Sequence, residues 1–206
     1  PADLVETAVA WKDAVSSTKT PTCLIFSRQG TSAITRTPEQ LNSIQSGGYL
    51  LKANDTSDIT IVASGSELQL ALDASVELEK DSINANVVSM PSLDIFLQQS
   101  EEYQRSIINP DKPVLVVECS HPNSWYKILN RNDKVIGIET FGESAPGGEL
   151  LEHFGFTEEN VIKTVCLSWA GNSCYSNTDV EIRMCSDFYV YKLKNVPLCN
   201  SKYCGQ

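Results

Sequence analysis

The chain has 206 residues, a hydrophobic share of 41%, a formal net charge of −10 and a pI near 4.6. That apolar fraction can fill a sizeable core, and no segment approaches the roughly 20 apolar residues of a membrane helix. The acidic balance, with its few Lys and Arg scattered, excludes a nucleic-acid surface, which would need a basic face.

The length suits one large domain or a domain with appendages. A start at Pro1, without Met, secretory signal or transit peptide, reads as a fragment or a processed product. Cysteine is unevenly spread. Cys23 and Cys119 sit alone in strand-like apolar runs, as buried thiols do, whereas Cys166, Cys174, Cys185, Cys199 and Cys204 crowd the carboxyl end. The body therefore reads as intracellular and the tail as secreted, disulfide-dense material.

In chain order, Asp3 is placed to cap a first helix, with Glu6 at the reciprocal position and Leu4, Ala8, Trp11 and Val15 on one face. Thr22 to Phe26 reads as a buried strand. Ser27-Arg28-Gln29-Gly30 follows at its carboxyl end, where ligands gather in open α/β sheets. The planar fork of an Arg suits phosphate or carboxylate oxygens, although position alone favours a surface salt bridge for Arg28. Thr31 to Gly47 is polar and punctuated by Pro38 and Gly47-Gly48, which suggests an interdomain linker.

Gly48 to Lys52 reads as a short strand and Ile59 to Ala63 as a strand covered on both faces. Ser64-Gly65-Ser66-Glu67 turns the chain into a helix ending near Lys80, with Ser64 and Glu67 spaced as a capping box. The strand from Asn84 to Met90 completes a βαβ unit. Short helices follow around Leu93 to Leu97 and Glu101 to Ile108, then a strand from Pro113 to Cys119 and a helical stretch from His121 to Leu129. A last strand spans Val135 to Phe141. The final helices are Pro146 to Phe154 and Glu158 to Val165, the latter capped by Thr157. This alternation implies an α/β fold with a largely parallel sheet.

Several stretches could carry chemistry. The amides of the Ser-Gly-Ser turn could meet a phosphate, but Glu67 already sets a negative charge in that first turn, so the turn reads as structural. Gly142-Glu143-Ser144-Ala145-Pro146 is not a hydrolase elbow, because Pro replaces its second Gly. His121 and His153 are too isolated for a metal site. Glu118, ending a strand beside Cys119, is a better site candidate, with no partner evident nearby. The tail spacings, C-x7-C, C-x10-C, C-x13-C and C-x4-C, lack zinc knuckles and favour disulfides among an odd set of five.

Six stretches together resemble the carboxyl-terminal part of the transketolases. They are Leu24 to Gln29, Gly47 to Leu51, Ala63 to Glu67, Val87 to Ser92, Phe141 to Pro146, and Phe154 to Val161. The resemblance covers residues 1 to about 165 in order and spacing. It implies that residues 1–36 end a pyrimidine-binding domain. Residues 37–165 would then form a three-layer α/β/α domain on a five-stranded, mostly parallel mixed sheet whose first strand is antiparallel. It further implies a homodimeric enzyme moving a two-carbon ketol unit between sugar phosphates with thiamine diphosphate and a divalent cation, Mg2+ or Ca2+. Arg28 stands where the family's Ser-Arg-Gln motif grips the substrate phosphate, which overrides the salt-bridge reading.

The family's cofactor motif, its activating Glu and its active-site histidines would lie upstream of Pro1, so this chain alone is expected to bind no cofactor and to be inactive. Glu143 departs from the family's Phe-Gly-Ala-Ser-Ala-Pro, and Ser120 to Asp133 departs from its Gly-rich pattern. Residues 166–206 resemble instead the end of the eight-cysteine module of uromodulin-like extracellular proteins, with Ser173 where that module has a cysteine. Two readings follow. One is a transketolase fragment; the other is a non-catalytic extracellular interaction protein that joins a degenerate enzyme domain to a partial cysteine module.

Overall fold

In a computed structural model, the structure describes residues 1–170, together with the backbone of two further strands, Val180–Cys185 and Phe188–Leu193, which pair antiparallel. Five strands make the central sheet: β1 Tyr49–Lys52, β2 Ile59–Ala63, β3 Ala85–Ser89, β4 Val114–Val117 and β5 Lys134–Ile136. Their order is β1-β3-β2-β4-β5, with β1 antiparallel to β3 and the others parallel. The expected mixed sheet and antiparallel first strand are therefore present.

Alternation along the strands sorts their side chains into two cores. Ile59, Ile61 and Ala63 of β2 join Leu115 and Val117 of β4 on one face. Helices α3 (Glu67–Lys80) and α7 (Glu158–Val165) cover that face through Leu68, Ala71, Leu78, Val161 and Val165. On the other face, Val62, Val88 and Val116 pack against Phe96 of α4 (Leu93–Phe96), Ile107 of α5 (Glu101–Ile107) and Trp125 of a 3-10 turn, Pro122–Lys127. Thr157 caps α7 by accepting from the Asn160 amide, as its side chain and position predict.

Several expectations change. Thr22 to Phe26 forms no strand, and Cys23, Ile25 and Phe26 are exposed; no neighbouring strand among the described residues is at hand to satisfy its backbone. Phe26 instead stacks on Trp11 of α1 (Leu4–Ser16), with ring centroids 6.4 Å apart. The apolar face read for α1 points outward: Leu4, Trp11 and Val15 are exposed, while Ala2, Asp3 and Glu6 are buried. Asp3 does cap α1, accepting from the amides of Val5 and Glu6.

The stretch read as a linker is ordered. Thr37 and Gln40 form a capping box on α2 (Pro38–Ser43), and a 3-10 turn, Ile44–Ser46, continues it. The 121–129 stretch is a 3-10 turn rather than an α-helix, and β5 stops at Ile136, leaving Phe141 97% exposed. The remaining segment, α6 (Gly147–His153), falls where expected. Of the tail cysteines, Cys166 is buried in the α3–α7 core; Cys174, Cys199 and Cys204 lie outside the described residues, and Cys185 is described in its backbone alone.

A buried ionic clasp ties the amino-terminal residues to the sheet. Arg36 donates to Asp3 Oδ2 at 2.6 Å, to Glu6 Oε1 at 3.2 Å and to Tyr49 Oη at 2.7 Å, and its side chain is fully buried. Burial opposes the charge on Asp3, yet Arg36 and the amides of Glu6 and Ile34 hold its carboxyl below the ordinary value. Burial and the neighbouring Glu6 carboxylate push the Tyr49 phenol up.

Candidate functional site

In the parallel part of the sheet the chain leaves β2, passes through α3 to β3 on one side, and returns across to β4 on the other. The carboxyl ends of β2 and β4 therefore flank a topological switch point, where open α/β sheets hold their ligands. Ser64 follows β2 there, and Glu118 follows β4. A cavity of about 570 Å³ opens above them, roofed by α1 and residues 22–27.

Ser64 Oγ donates a short hydrogen bond to Glu118 Oε2. Glu118 thus has a partner that the sequence reading did not find, because the two lie 54 residues apart. The same bond overturns the expected capping box at α3: Ser66 occupies the cap position, and its hydroxyl donates to Glu67 Oε1 at 2.7 Å instead of capping a helix amide. The half-buried carboxylate of Glu118 competes successfully for the Ser64 hydroxyl. Gly65 makes the turn with φ +54°, in the left-handed region that glycine enters without strain.

Burial pushes the Glu118 carboxyl up to about 7, against the Ser64 bond and with help from the Glu67 charge. Cys119 is pushed up as well, by burial and then by Glu67, which makes it a poor nucleophile. Neither group has a histidine beside it in the cavity wall.

Arg28 stands apart from this cavity. It is exposed, and it has no hydrogen bond or ion pair among the described residues. Gln29, next along the chain, lies near the start of α6, where a Cβ on Gly147 would sit 3.9 Å from Gln29 Oε1. The Phe141 to Pro146 loop is exposed, and His153 faces Glu143 at 3.7 Å. His121 accepts the Asn123 amide, a local turn contact. Among the described residues no group of three His, Cys, Asp or Glu side chains is placed to hold a metal.

The family described as transketolase-like TK C-terminal domain matches residues 47–157, more than half of the chain. The chain belongs to that family. A transketolase 1 from Vibrio parahaemolyticus is 43% identical over 166 residues, and a transketolase from Bacillus subtilis is 42% identical over 169. Both alignments cover 80% of this chain and 25% of the relative, so the chain spans about a quarter of the curated relatives it matches.

Among solved structures, a Pichia stipitis transketolase in complex with sedoheptulose-7-phosphate superposes with a TM-score of 0.76 at 38% identity, covering 82% of this chain and 24% of that one. A Campylobacter jejuni transketolase gives a TM-score of 0.73 at 36% identity, covering 81% of this chain and 25% of that one. The transketolase-like portion is thus a carboxyl-terminal part. A uromodulin-like domain family matches residues 148–205, overlapping the transketolase-like match from Gly148 to Thr157.

The group that such enzymes would bring is thiamine diphosphate with a divalent cation. The cavity at the switch point does not suit it: its wall holds Glu6, Asp13, Glu67 and Glu118 and no Lys, Arg or His. A diphosphate there would meet carboxylates with no cationic side chain to offset them, and Glu67 already occupies the amide-bearing turn at the start of α3.

Proposed function

We propose that this chain is the carboxyl-terminal portion of an enzyme that transfers a two-carbon ketol unit between sugar phosphates. The observation carrying this reading is the agreement of the family match over residues 47–157 with sequence and fold likeness over about four fifths of the chain. Arg28 is its contribution to chemistry: exposed and uncommitted, its guanidinium is free to grip a substrate phosphate bidentately. Thiamine diphosphate and Mg2+ or Ca2+ are held by segments outside this sequence, in a homodimer, and this chain alone does not turn over substrate.

The proposed units are 1–36, the end of a pyrimidine-binding domain, 37–165, the transketolase-like domain, and 166–206, a cysteine-rich tail. The uromodulin-like match supports disulfides among Cys166, Cys174, Cys185, Cys199 and Cys204. It also favours a second reading, an extracellular interaction protein whose enzyme-like domain is no longer catalytic. The first reading places the body in the cytoplasm; the second places the whole outside the cell.

A chimera separates the two. Residues 1–165 would replace the matching portion of the Bacillus subtilis transketolase, and ketol transfer from xylulose 5-phosphate to ribose 5-phosphate would be followed. The first reading expects turnover. A folded, dimeric and inactive chimera would favour the second.

A further inference from the structure

The cavity at the switch point takes no part in the reading above, and its wall is one-sided in charge. Every charged side chain lining it is a carboxylate. Two of the four carboxylates, Glu6 and Glu67, are already committed. Glu6 Oε1 accepts from Tyr49, Ser89 and Arg36, and Glu6 Oε2 accepts from the Ala2 amide. Glu67 Oε1 takes the Ser66 hydroxyl.

Glu118 differs. Its Oε2 takes Ser64, while Oε1 has no hydrogen-bond partner among the described residues and is not sealed from solvent. The same cavity is lined by apolar side chains, among them Val9, Phe26, Met90, Leu93 and Trp125. An available carboxylate oxygen, a largely apolar wall and a volume of about 570 Å³ at a switch point make a pocket of small-molecule size.

The wall chemistry chooses among ligands. Phosphate-bearing molecules find no Lys, Arg or His in the wall to pair with. A bare Ca2+ would need about six oxygens converging on one point, and among the described residues not even three His, Cys, Asp or Glu side chains are placed to hold a metal. A neutral polyol would satisfy Glu118 but leave the apolar wall wet. We propose that this pocket binds an organic ammonium ion with a compact aromatic or aliphatic body, its N–H groups donated to Glu118 Oε1 and its body laid against Met90 and Trp125. Aromatic walls add a cation–π attraction to such a ligand, and an opposite charge restores the ionised form of the desolvated carboxylate.

The test uses the full chain and needs no turnover, so an inactive chimera would leave the proposal standing. Phenethylamine, 2-phenylethanol and phenylacetate would be titrated while the Trp125 indole N–H resonance is followed, assigned with Trp125→Phe. Phenethylamine should shift it and bind at least about tenfold more tightly than the alcohol, and phenylacetate should leave it unmoved. Glu118→Gln should lower amine affinity about tenfold or more without changing that of the alcohol. Ser124→Phe, a rim substitution at an exposed position, should abolish the shift in a protein of unchanged fold. Equal affinities for amine and alcohol, no shift at 20 mM amine, or parental affinity in both variants would overturn the proposal.

Discussion

Tyr49 Oη donates to Glu6 Oε1 at 2.6 Å across 43 residues of sequence, joining the first helix to the edge strand of the sheet. The same oxygen accepts from Ser89 at 2.6 Å and from Arg36 at 3.2 Å, so one buried carboxylate ties together α1, residue 36, β1 and β3. Removing one partner of a buried ion pair strands the other. Glu6→Ala should therefore destabilise the chain by about 3–5 kcal/mol. Tyr49→Phe, which removes one hydroxyl and keeps the ring, should cost about 1–3 kcal/mol. Urea unfolding of both variants checks this ordering; a smaller loss for Glu6→Ala than for Tyr49→Phe would contradict it.

Glu118 sets a pH dependence. Unfolded, it titrates near 4.5; folded, near 7. Between those values the folded state holds a proton that the unfolded state has released, so stability falls as pH rises from about 4.5 to 7. The fall should be on the order of 2 kcal/mol. Glu118→Gln removes the titration, and its urea midpoint should decline less than that of the parent between pH 5 and 7.5. Parallel declines would show that other groups are responsible.

Two glycines contrast sharply. Gly47 has φ +84°, and a Cβ there would clash with Ser92 O and Phe96 N, both backbone atoms. Gly142 has nothing within 4 Å of a Cβ. Gly47→Ala should cost about 2 kcal/mol or more from strain and clash, and Gly142→Ala should stay within about 0.5 kcal/mol of the parent. Thermal melting of the pair tests the difference.

Arg28 is tested in the chimera. Arg28→Ala should remove a charge-assisted contact of about 1.5–3 kcal/mol, read as a loss in kcat/KM of roughly tenfold or more for phosphorylated acceptors. Unphosphorylated acceptors should lose little. Equal losses on both substrate classes would make Arg28 a structural residue.

Reductant should act unequally along the chain. A tail of about forty residues cannot build a core without staples, whereas Val161, Val165 and Cys166 are buried against α3. Hydrogen exchange with and without reductant should leave β2, α3 and α7 protected while the residues after 170 lose protection. Collapse of β2 and α3 together with the tail would show one cooperative unit.

Much of this was legible in the chain itself. The βαβ unit at Ile59, the cap at Thr157 and the antiparallel first strand rest on local patterns and on six motifs in register, and they stand in the structure. Residues 22–26 read as a strand yet form none, for a physical reason: an apolar, β-branched run is strand-like only when a neighbouring strand supplies hydrogen bonds, and sequence does not say whether one is there. The stripe of Leu4, Trp11 and Val15 likewise reads as a buried face yet points outward, since periodicity finds a face but not what covers it.

Pattern and motif, then, determined the class of fold, the order of its elements and the family. Only the tertiary structure decided which side chains meet. Ser64 gives its hydroxyl to Glu118 rather than to its own helix, and Arg36 leaves an apparent linker to bind Asp3, Glu6 and Tyr49. Both choices follow from burial: a carboxylate or guanidinium withdrawn from water must find a partner, and the nearest in space is far away along the chain.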